Sequence, residues 1–274
     1  MTKVSVIISV YNHFEWLQLV LDALLKQSVK GFEVIIADDG SSQEVRENID
    51  EYIRKQQDIK ILHSWHSDEG WRKNIALNNA VKISEGDYLI FIDGDCIPHP
   101  RFVEDHLNLS DRGMVVAGRR VDLPRNVSRD VEKLTIIPRN YHKWMRRKIL
   151  LSLLYSPGES FKVLKRLIRF PIKKKKVLGM KRGGILGCNF SLFREDFYAV
   201  NGFDERYLAP GTGEDTDIDL RLSNMGVRVM KVSRAAMMYH RNHARLPMDS
   251  PENLEILRLN RENNVTTTPY GIRK

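Results

Sequence analysis

Two carboxylates separated by one glycine, Asp93-Gly94-Asp95, follow directly after the apolar run 88–92. Such a run has the right length for a strand that is buried on both faces of a parallel sheet. Ligands of such sheets bind just outside the carboxyl ends of the strands. Two carboxylates this close repel each other, and a hard divalent cation is the usual reason for a protein to tolerate them. Because Asp-Gly is also a common turn dipeptide, the motif alone leaves a metal site and a plain turn open.

Three further polar clusters follow an apolar run or begin a predicted helix: Tyr11-Asn12, Asp38-Asp39-Gly40-Ser41 and Gly213-Glu214-Asp215. Carboxylates at the ends of parallel strands lie where such sheets bind their ligands. A carboxylate in the first turn of a helix, such as Asp215, is favoured in its ionised form by the helix dipole. The structural alternatives are a helix cap for Asp38 and plain stabilisation of the helix start for Asp215.

The elements that must position these clusters alternate between strand and helix patterns. We predict strands at Val4–Val10, Phe32–Ala37, Ile59–Leu62, Tyr88–Ile92, Met114–Gly118, Val227–Val232 and Ala236–Tyr239. We predict helices from Phe14, from Val45, and at Gly70–Ser84, Pro100–Leu107, Tyr141–Leu154, Phe161–Phe170, Glu214–Met225 and Pro251–Asn263. The alternation predicts an α/β fold with a mostly parallel central sheet flanked by helices.

The pattern indicates a single domain over residues 1–246, followed by a C-terminal helix and tail at 247–274 whose last ten residues we expect to be loose. Within the domain, residues 1–120 form one half and residues 183–246 the other. Residues 125–182 break the alternation of strands and helices, so we interpret them as a basic helical insertion.

The composition places limits on the class of protein. With 42% hydrophobic and 29% charged residues, the chain resembles a folded soluble protein. Met1–Val10 has no basic leader and reads as a strand rather than a signal peptide. Cys96 and Cys188 are far apart in sequence, which suggests a reducing compartment. We therefore expect a cytoplasmic protein, with peripheral attachment to the inner face of the plasma membrane as a further expectation.

The positive charge is concentrated in the insertion. Fifteen Lys or Arg residues and one acid, Glu159, lie between Arg139 and Arg182, so this block carries +14 while the whole chain carries +9. Cationic and apolar residues interleave there at helical spacing, ahead of the run Lys173–Lys176. This pattern suits a helix that lies in an anionic membrane surface, through residues 139–182. The alternative is that the apolar face packs on the protein's own core and the charges are solvated.

Taken together, the four clusters resemble the inverting glycosyltransferases of family 2, which have the GT-A fold. The resemblance covers about residues 3–120 and 183–243. The segments Asn-Phe-Ser-Leu-Phe-Arg (189–194) and Gly-Phe-Asp-Glu-Arg (202–206) resemble the chondroitin polymerase and polypeptide N-acetylgalactosaminyltransferase groups. The resemblance implies a metal-dependent transfer of a sugar from a UDP-sugar to a hydroxyl of a glycan or lipid-linked acceptor, in bacterial lipopolysaccharide, O-antigen or capsule synthesis.

The resemblance also implies a role for each matching position. Asp215 is the expected catalytic base, and Glu214 is expected to bind the acceptor. A Mn²⁺ or Mg²⁺ ion is expected on Asp93, Asp95 and His240, with His243 as a weaker candidate from the same loop. The residues expected to bind the donor are Tyr11, Asn12, Asp38, Asp39, Arg72, Asp93 and Asn189.

Two other functions remain open at this point. A nucleotidyltransferase also uses a parallel sheet and paired aspartates, but it usually carries a Gly-rich phosphate loop with Lys or Arg after the first strand, which Tyr11-Asn12-His13-Phe14 does not provide. A nucleic-acid-binding protein could use the basic block. That block has no evident recognition module and few aromatic residues, so we expect no nucleic acid as a partner.

Overall fold

The described part of the chain is built around one eight-stranded sheet, with strand order β3-β2-β1-β4-β9-β6-β10-β8. The computed structural model describes residues 2–154, 163–164, 167, 180–244 and 250–273. Its strands are β1 (Val4–Val10), β2 (Phe32–Asp38), β3 (Ile61–Trp65), β4 (Tyr88–Asp93), β5 (Cys96–Pro98), β6 (Met114–Ala117), β7 (Arg119–Asp122), β8 (Met180–Arg182), β9 (Asn189–Phe193), β10 (Arg228–Val232) and β11 (Met237–His240). Its helices are α1 (Phe14–Leu25), α2 (Gln43–Lys55), α3 (Lys73–Ile83), α4 (Phe102–Leu109), α5 (Arg125–Glu132), α6 (Tyr141–Ser152), α7 (Arg194–Ala199), α8 (Glu214–Asn224) and α9 (Pro251–Glu262).

The predicted α/β fold with a mostly parallel sheet is confirmed. Strand β1 runs parallel to β2 and β4, β2 to β3, and β6 to β10, whereas β9 lies antiparallel between β4 and β6. Strands β1 and β2 are buried along their whole length, which explains their nearly continuous apolar sequences. The register pairs Val10 with Asp38 and Ser9 with Asp93. The polar residues that end these strands therefore meet at one edge of the sheet.

A second, three-stranded sheet has the order β5-β11-β7. Strand β11 is antiparallel to β5 and parallel to β7, and its last residue, His240, is paired with Cys96 on one side and Asp122 on the other. This small sheet brings the residue before β5, Asp95, close to the ends of two strands that lie far away in sequence.

The first part of the basic insertion packs on the main core. Val127 and Val131 of α5, together with Tyr141, Met145 and Ile149 of α6, are buried in the same apolar cluster as β1 and α1. The inner faces of both helices therefore fit the packing alternative. The predicted helix 161–170 is described at residues 163, 164 and 167, and the run 173–176 lies outside the described residues. Within the described chain, the helices are too short or too polar to cross a lipid bilayer.

The expectation of a loose C-terminal tail is wrong, because the tail pairs with the turn that follows α7. Thr268 and Ile272 are buried, and the Ile272 N–H donates to the carbonyl oxygen of Asn201 at 2.9 Å. A Cβ at Gly271 would lie 1.8 Å from the Asn201 oxygen, so the two backbones approach too closely for a side chain at this position.

Candidate functional site

Asp93 and Asp95, at the end of β4 and in the turn that follows it, contact different partners. The Ser9 hydroxyl donates to Oδ1 of Asp93 at 2.7 Å, and the Gly94 N–H donates to the Ser9 carbonyl oxygen at 2.8 Å. A Cβ at Gly94 would lie 3.0 Å from that same oxygen, so the turn is tight against β1. It holds Asp93 against the parallel sheet and carries Asp95 to the edge of the three-stranded sheet.

Asp93 is bound by a lysine that the sequence did not single out. Lys73 is the first residue of α3, and its ammonium group donates to Oδ1 of Asp93 at 2.9 Å and lies 2.7 Å from Oε1 of Glu214. Burial alone would lower the pKa of Lys73, but these two carboxylates raise it well above its ordinary value. Burial raises the pKa of Glu214, against the opposing effect of Lys73. The Lys73 bridge therefore joins the two predicted halves of the domain through one ammonium.

Asp95 lies instead beside two imidazoles. The Nε2 atoms of His240 and His243 are 3.5 and 3.2 Å from its Oδ2 atom. One ligand atom from each of the three residues lies within 4.8 Å of the others, and among the described residues they form a group that could hold a metal ion. Burial by itself would raise the pKa of Asp95, but the two imidazoles hold it below its ordinary value. One carboxylate with two imidazoles suits Mn²⁺, which accepts nitrogen more readily than Mg²⁺ does.

The group that could hold a metal ion differs from the predicted metal set by one residue. Asp93 does not join Asp95 and His240 in this group, because its Oδ1 atom already accepts from Ser9 and the positively charged Lys73. His243, the weaker candidate of the sequence analysis, takes the third position. The two aspartates of the motif therefore have different neighbours: Asp93 contacts Ser9 and Lys73, and Asp95 lies beside His240 and His243.

Glu214 and Asp215 begin α8, as the sequence predicts. The Gly187 N–H donates to Oδ2 of Asp215 at 2.9 Å, and the Thr216 hydroxyl donates to its Oδ1 atom at 3.2 Å. Gly213, which precedes them, has a φ of 124°, and a Cβ there would lie 2.1 Å from the ring of Tyr207. The helix start is fixed by this glycine, and Asp215 remains partly exposed beside Glu214.

Tyr11 and Asp39 come directly after β1 and β2, respectively. Asp39 accepts from the Arg72 N–H at 3.0 Å and lies 3.2 Å from Nε2 of His66, and burial raises its pKa to about 6. The Tyr11 side chain is 47% exposed, and its hydroxyl donates to Asp68 at 2.9 Å. An exposed ring beside a carboxylate can hold a flat, hydrogen-bonding ligand between a stacking surface and an acceptor.

Asn12 and Arg72 lie close to this pair, but their contacts are local. The Asn12 N–H donates to the Ser41 hydroxyl at 2.9 Å, and its side-chain oxygen accepts from the Ser42 N–H at 2.8 Å. The Arg72 guanidinium is 2.8 Å from Oε2 of Glu69, so in this conformation its backbone, not its side chain, contacts Asp39.

Two of the predicted donor-binding residues, Asp38 and Asn189, are fully buried. Asp38 is fully buried, where it accepts from the Ser41 N–H at 2.8 Å and lies 2.9 Å from Nε2 of His63. Asn189 is also fully buried, and its amide donates to the carbonyl oxygen of Ala236 at 2.9 Å. Both side chains hydrogen-bond with buried polar groups of the scaffold.

Models of two known families match this chain. The one described as glycosyl transferase family 2 matches residues 5–198, which is more than half of the chain. The one described as the N-terminal domain of galactosyltransferase matches residues 177–244, which include Glu214, Asp215, His240 and His243.

Curated relatives share part of the chain. A validoxylamine A glucosyltransferase from Streptomyces hygroscopicus is 26% identical over 253 residues, which cover 88% of this chain and 56% of that protein. An uncharacterized glycosyltransferase from Rickettsia felis is 32% identical over 110 residues, covering 40% of this chain and 17% of that protein. A poly(ribitol-phosphate) beta-glucosyltransferase from Bacillus spizizenii is 28% identical over 95 residues, 34% of this chain and 15% of that protein. The matched part of the chain therefore spans between 15% and 56% of the length of these relatives.

Solved structures share the fold at low identity. A mannosyltransferase, PcManGT from Pyrobaculum calidifontis in complex with GDP-Man and Mn²⁺, has a TM-score of 0.57 at 16% identity and covers 94% of this chain and 68% of that one. A segment of TarS from S. aureus in complex with UDP has a TM-score of 0.56 at 18% identity and covers 93% of this chain and 63% of that one. This likeness shows that the fold of the present chain is the GT-A fold.

Proposed function

This chain belongs to glycosyl transferase family 2, and we propose that it transfers a sugar, with inversion, from a UDP-sugar to a hydroxyl group of a glycan or lipid-linked acceptor. The observation that carries the proposal is a connected set of groups at one edge of the sheet. Asp215 adjoins Glu214, Lys73 joins Glu214 to Asp93, and one glycine separates Asp93 from the group that could hold a metal ion.

The proton acceptor in this reaction is Asp215. An acceptor hydroxyl attacks the anomeric carbon from the face opposite the leaving group. The new O–C bond forms as the bond from carbon to diphosphate breaks, and the electron pair leaves with the diphosphate. Asp215 takes the hydroxyl proton, a role open to a partly exposed carboxylate in the first turn of a helix. Glu214, beside it, is the residue proposed to bind the acceptor.

A divalent cation, with Mn²⁺ favoured over Mg²⁺, is proposed on Asp95, His240 and His243. Bound there, the ion offsets the negative charge that develops on the departing diphosphate. The three side chains come from the turn after β4 and from the end of β11 and the loop beyond it, and their ligand atoms already lie within 4.8 Å of one another. The site therefore needs little rearrangement to take an ion.

The nucleotide is proposed to lie over the ends of β1 and β2. The Asp39 carboxylate can accept the imide N–H of uracil, and the exposed Tyr11 ring can flank the base. The TarS segment in complex with UDP and PcManGT in complex with GDP-Man are the structural neighbours that support a nucleotide-sugar donor. We propose uracil as the base, since a carboxylate can accept from its one ring N–H, and the donor screen below separates it from guanine.

The outer face of α6 is proposed to rest on an anionic membrane surface on the cytoplasmic side. Between Lys133 and Leu154 the chain has six Lys or Arg residues and no acid. Leu150, Leu151 and Leu154 are 56%, 47% and 77% exposed at the C-terminal end of this segment. Cations combined with exposed leucines suit the interface of an anionic bilayer. This placement would bring the enzyme to a lipid-linked acceptor of cell-surface polysaccharide synthesis.

A liposome assay tests the membrane proposal. Wild type should sediment with anionic but not with neutral liposomes, and binding should fade as salt rises. Replacing Leu150, Leu151 and Leu154 with Ser should weaken this binding, whereas Leu254→Ser, which alters an exposed leucine of α9, should not. Equal sedimentation with both kinds of lipid would reject the proposal.

A donor screen tests the transfer proposal. Purified protein is incubated with UDP-sugars or GDP-sugars, with and without Mn²⁺, and release of the nucleoside diphosphate is measured. The proposal expects Mn²⁺-dependent release of UDP from at least one UDP-sugar. Release of pyrophosphate from UTP and a sugar 1-phosphate would instead favour a nucleotidyltransferase, and release of GDP alone would reject uracil recognition.

A further inference from the structure

The last residue of β7, Asp122, lies beside Nδ1 of His240, a proposed metal ligand. Asp122 and His240 are register partners in the three-stranded sheet, and the Leu123 N–H donates to the His240 carbonyl oxygen at 3.0 Å. Oδ1 of Asp122 lies 3.3 Å from Nδ1 of His240. The other ring nitrogen, Nε2, faces Oδ2 of Asp95 at 3.5 Å. The imidazole therefore lies between two carboxylates, with one nitrogen toward each.

Asp122 is itself held in place. Nε of Arg120, two residues earlier on the same strand, lies 2.9 Å from the same Oδ1 atom of Asp122. Alternate residues of a strand point to the same face, which brings the guanidinium beside the carboxylate. The carboxylate therefore keeps its position next to the His240 ring.

The second imidazole has the same arrangement with a different acceptor. Nδ1 of His243 lies 2.7 Å from the carbonyl oxygen of Ala244, and its Nε2 atom faces Asp95 at 3.2 Å. Both histidines thus direct Nδ1 at an oxygen and Nε2 at the same carboxylate. An oxygen near Nδ1 favours the tautomer that carries its proton there, which leaves the lone pair of Nε2 free for a metal ion.

We propose that Asp122 is a positioning residue for the metal site: it accepts the Nδ1–H of His240 and so presents Nε2 to a divalent cation held together with Asp95 and His243. This inference rests on the metal site of the proposed function. Loss of such an acceptor behind a metal-binding histidine typically weakens metal affinity by about tenfold to a hundredfold. The effect acts through His240, which distinguishes Asp122 from a direct ligand.

The test is a titration of the protein with Mn²⁺ alone, in which electron paramagnetic resonance measures the free ion. Asp122→Ala should weaken Mn²⁺ binding about tenfold to a hundredfold. Asp122→Asn keeps an acceptor oxygen, so it should retain more of the affinity than Asp122→Ala. Asp111→Ala is the matched control, because it makes the same change at an exposed carboxylate that pairs with Arg228, and it should leave Mn²⁺ affinity unchanged. Thermal unfolding of each variant shows whether the fold is intact.

A double-mutant cycle separates positioning from direct ligation. In a His240→Gln background, Asp122→Ala should cause little further loss of Mn²⁺ affinity, because the residue that it positions is gone. An equal loss in both backgrounds would overturn the inference, as would wild-type affinity in Asp122→Ala. If wild type itself does not bind Mn²⁺, the proposed metal site fails and the inference fails with it.

Discussion

Asp93 and Asp95 are separated by one glycine, yet their charges are compensated in different ways. Asp93 has a cation from the protein itself, the Lys73 ammonium at 2.9 Å, which also contacts Glu214. Asp95 faces two imidazoles, which are metal ligands in their neutral form. The comparison teaches that one short motif can serve two purposes. One carboxylate ties two halves of the fold together, and the other belongs to the proposed metal site.

The largest effect is expected on the transfer rate when Asp215, the residue after Glu214, is replaced. Asp215 accepts hydrogen bonds from the Gly187 N–H and the Thr216 hydroxyl, and it is the proposed general base. Asp215→Asn should lower the transfer rate by about 10²- to 10⁴-fold, which is the range for a lost general base. UDP affinity, measured by calorimetry, should stay close to that of wild type. Weak UDP binding with an unchanged rate at saturation would show that Asp215 binds the donor instead.

The next largest effect is expected on Mn²⁺ affinity, and it should differ between variants of Asp95 and Asp93. Asp95→Ala removes a proposed ligand and should weaken Mn²⁺ binding by about 100-fold or more, beyond the typical loss for a residue that merely supports a ligand. Asp93→Asn is the matched variant, and it should change Mn²⁺ affinity by less than about threefold, because Asp93 lies outside the group. Calorimetric titration with Mn²⁺ measures both. Equal losses in the two variants would restore the paired-aspartate site that the sequence suggested.

A smaller effect is expected on the free energy of unfolding when the Lys73 ammonium is removed. Lys73→Met leaves Asp93 and Glu214 facing each other without a positive charge. Removing one partner of a buried ion pair costs about 3–5 kcal/mol, and solvent screening of Asp93, whose side chain is 28% exposed, reduces this to about 2 kcal/mol. Urea denaturation measures the loss. The double variant Lys73→Met with Glu214→Gln should recover part of it, and no recovery would argue against the bridge.

The smallest effect concerns Asp219, a half-buried carboxylate of α8. Burial raises its pKa to about 6, and Asp215 nearby adds to the shift. The folded state therefore binds this proton more tightly than the unfolded state does. The stability that it contributes is complete below about pH 4 and is lost as the pH rises through about 6.

The variant Asp219→Asn removes this dependence. It should be more stable than wild type at pH 7.5, by about 1 kcal/mol or less after allowance for solvent screening. At pH 4 the difference between the two proteins should shrink. Thermal unfolding at the two pH values measures it, and a constant difference would show that Asp219 does not titrate differently in the folded state.

Much of the fold followed from local pattern. The apolar run of β1 was predicted at its observed bounds, Val4–Val10, because a strand that is buried on both faces has a nearly continuous apolar sequence. The prediction for β3 began two residues early, at Ile59, which is buried but precedes the paired segment Ile61–Trp65. The start of β3 is set by its pairing with β2. The sequence of β3 alone does not show where that pairing begins.

The site was less predictable, because its contacts join distant residues. Asn189 was predicted to bind the donor, and in the structure its amide donates to the carbonyl oxygens of Arg119 and Ala236, which are 70 and 47 residues away in sequence. Lys73 lay inside a segment that was already under consideration, yet its partner Glu214 is visible only once α3 and α8 are packed. Asp122 gave no local signal, because the strand register alone places it beside His240.

The most direct test of the division between Asp93 and Asp95 is electron spin-echo spectroscopy of Mn²⁺ bound to the protein, which detects nitrogen atoms that coordinate the ion. The account predicts coupling to two imidazole nitrogens in wild type and to one in His243→Gln. Bound Mn²⁺ without nitrogen coupling would contradict it, since the ion would then be held by carboxylate oxygens alone, as a site on both aspartates would require.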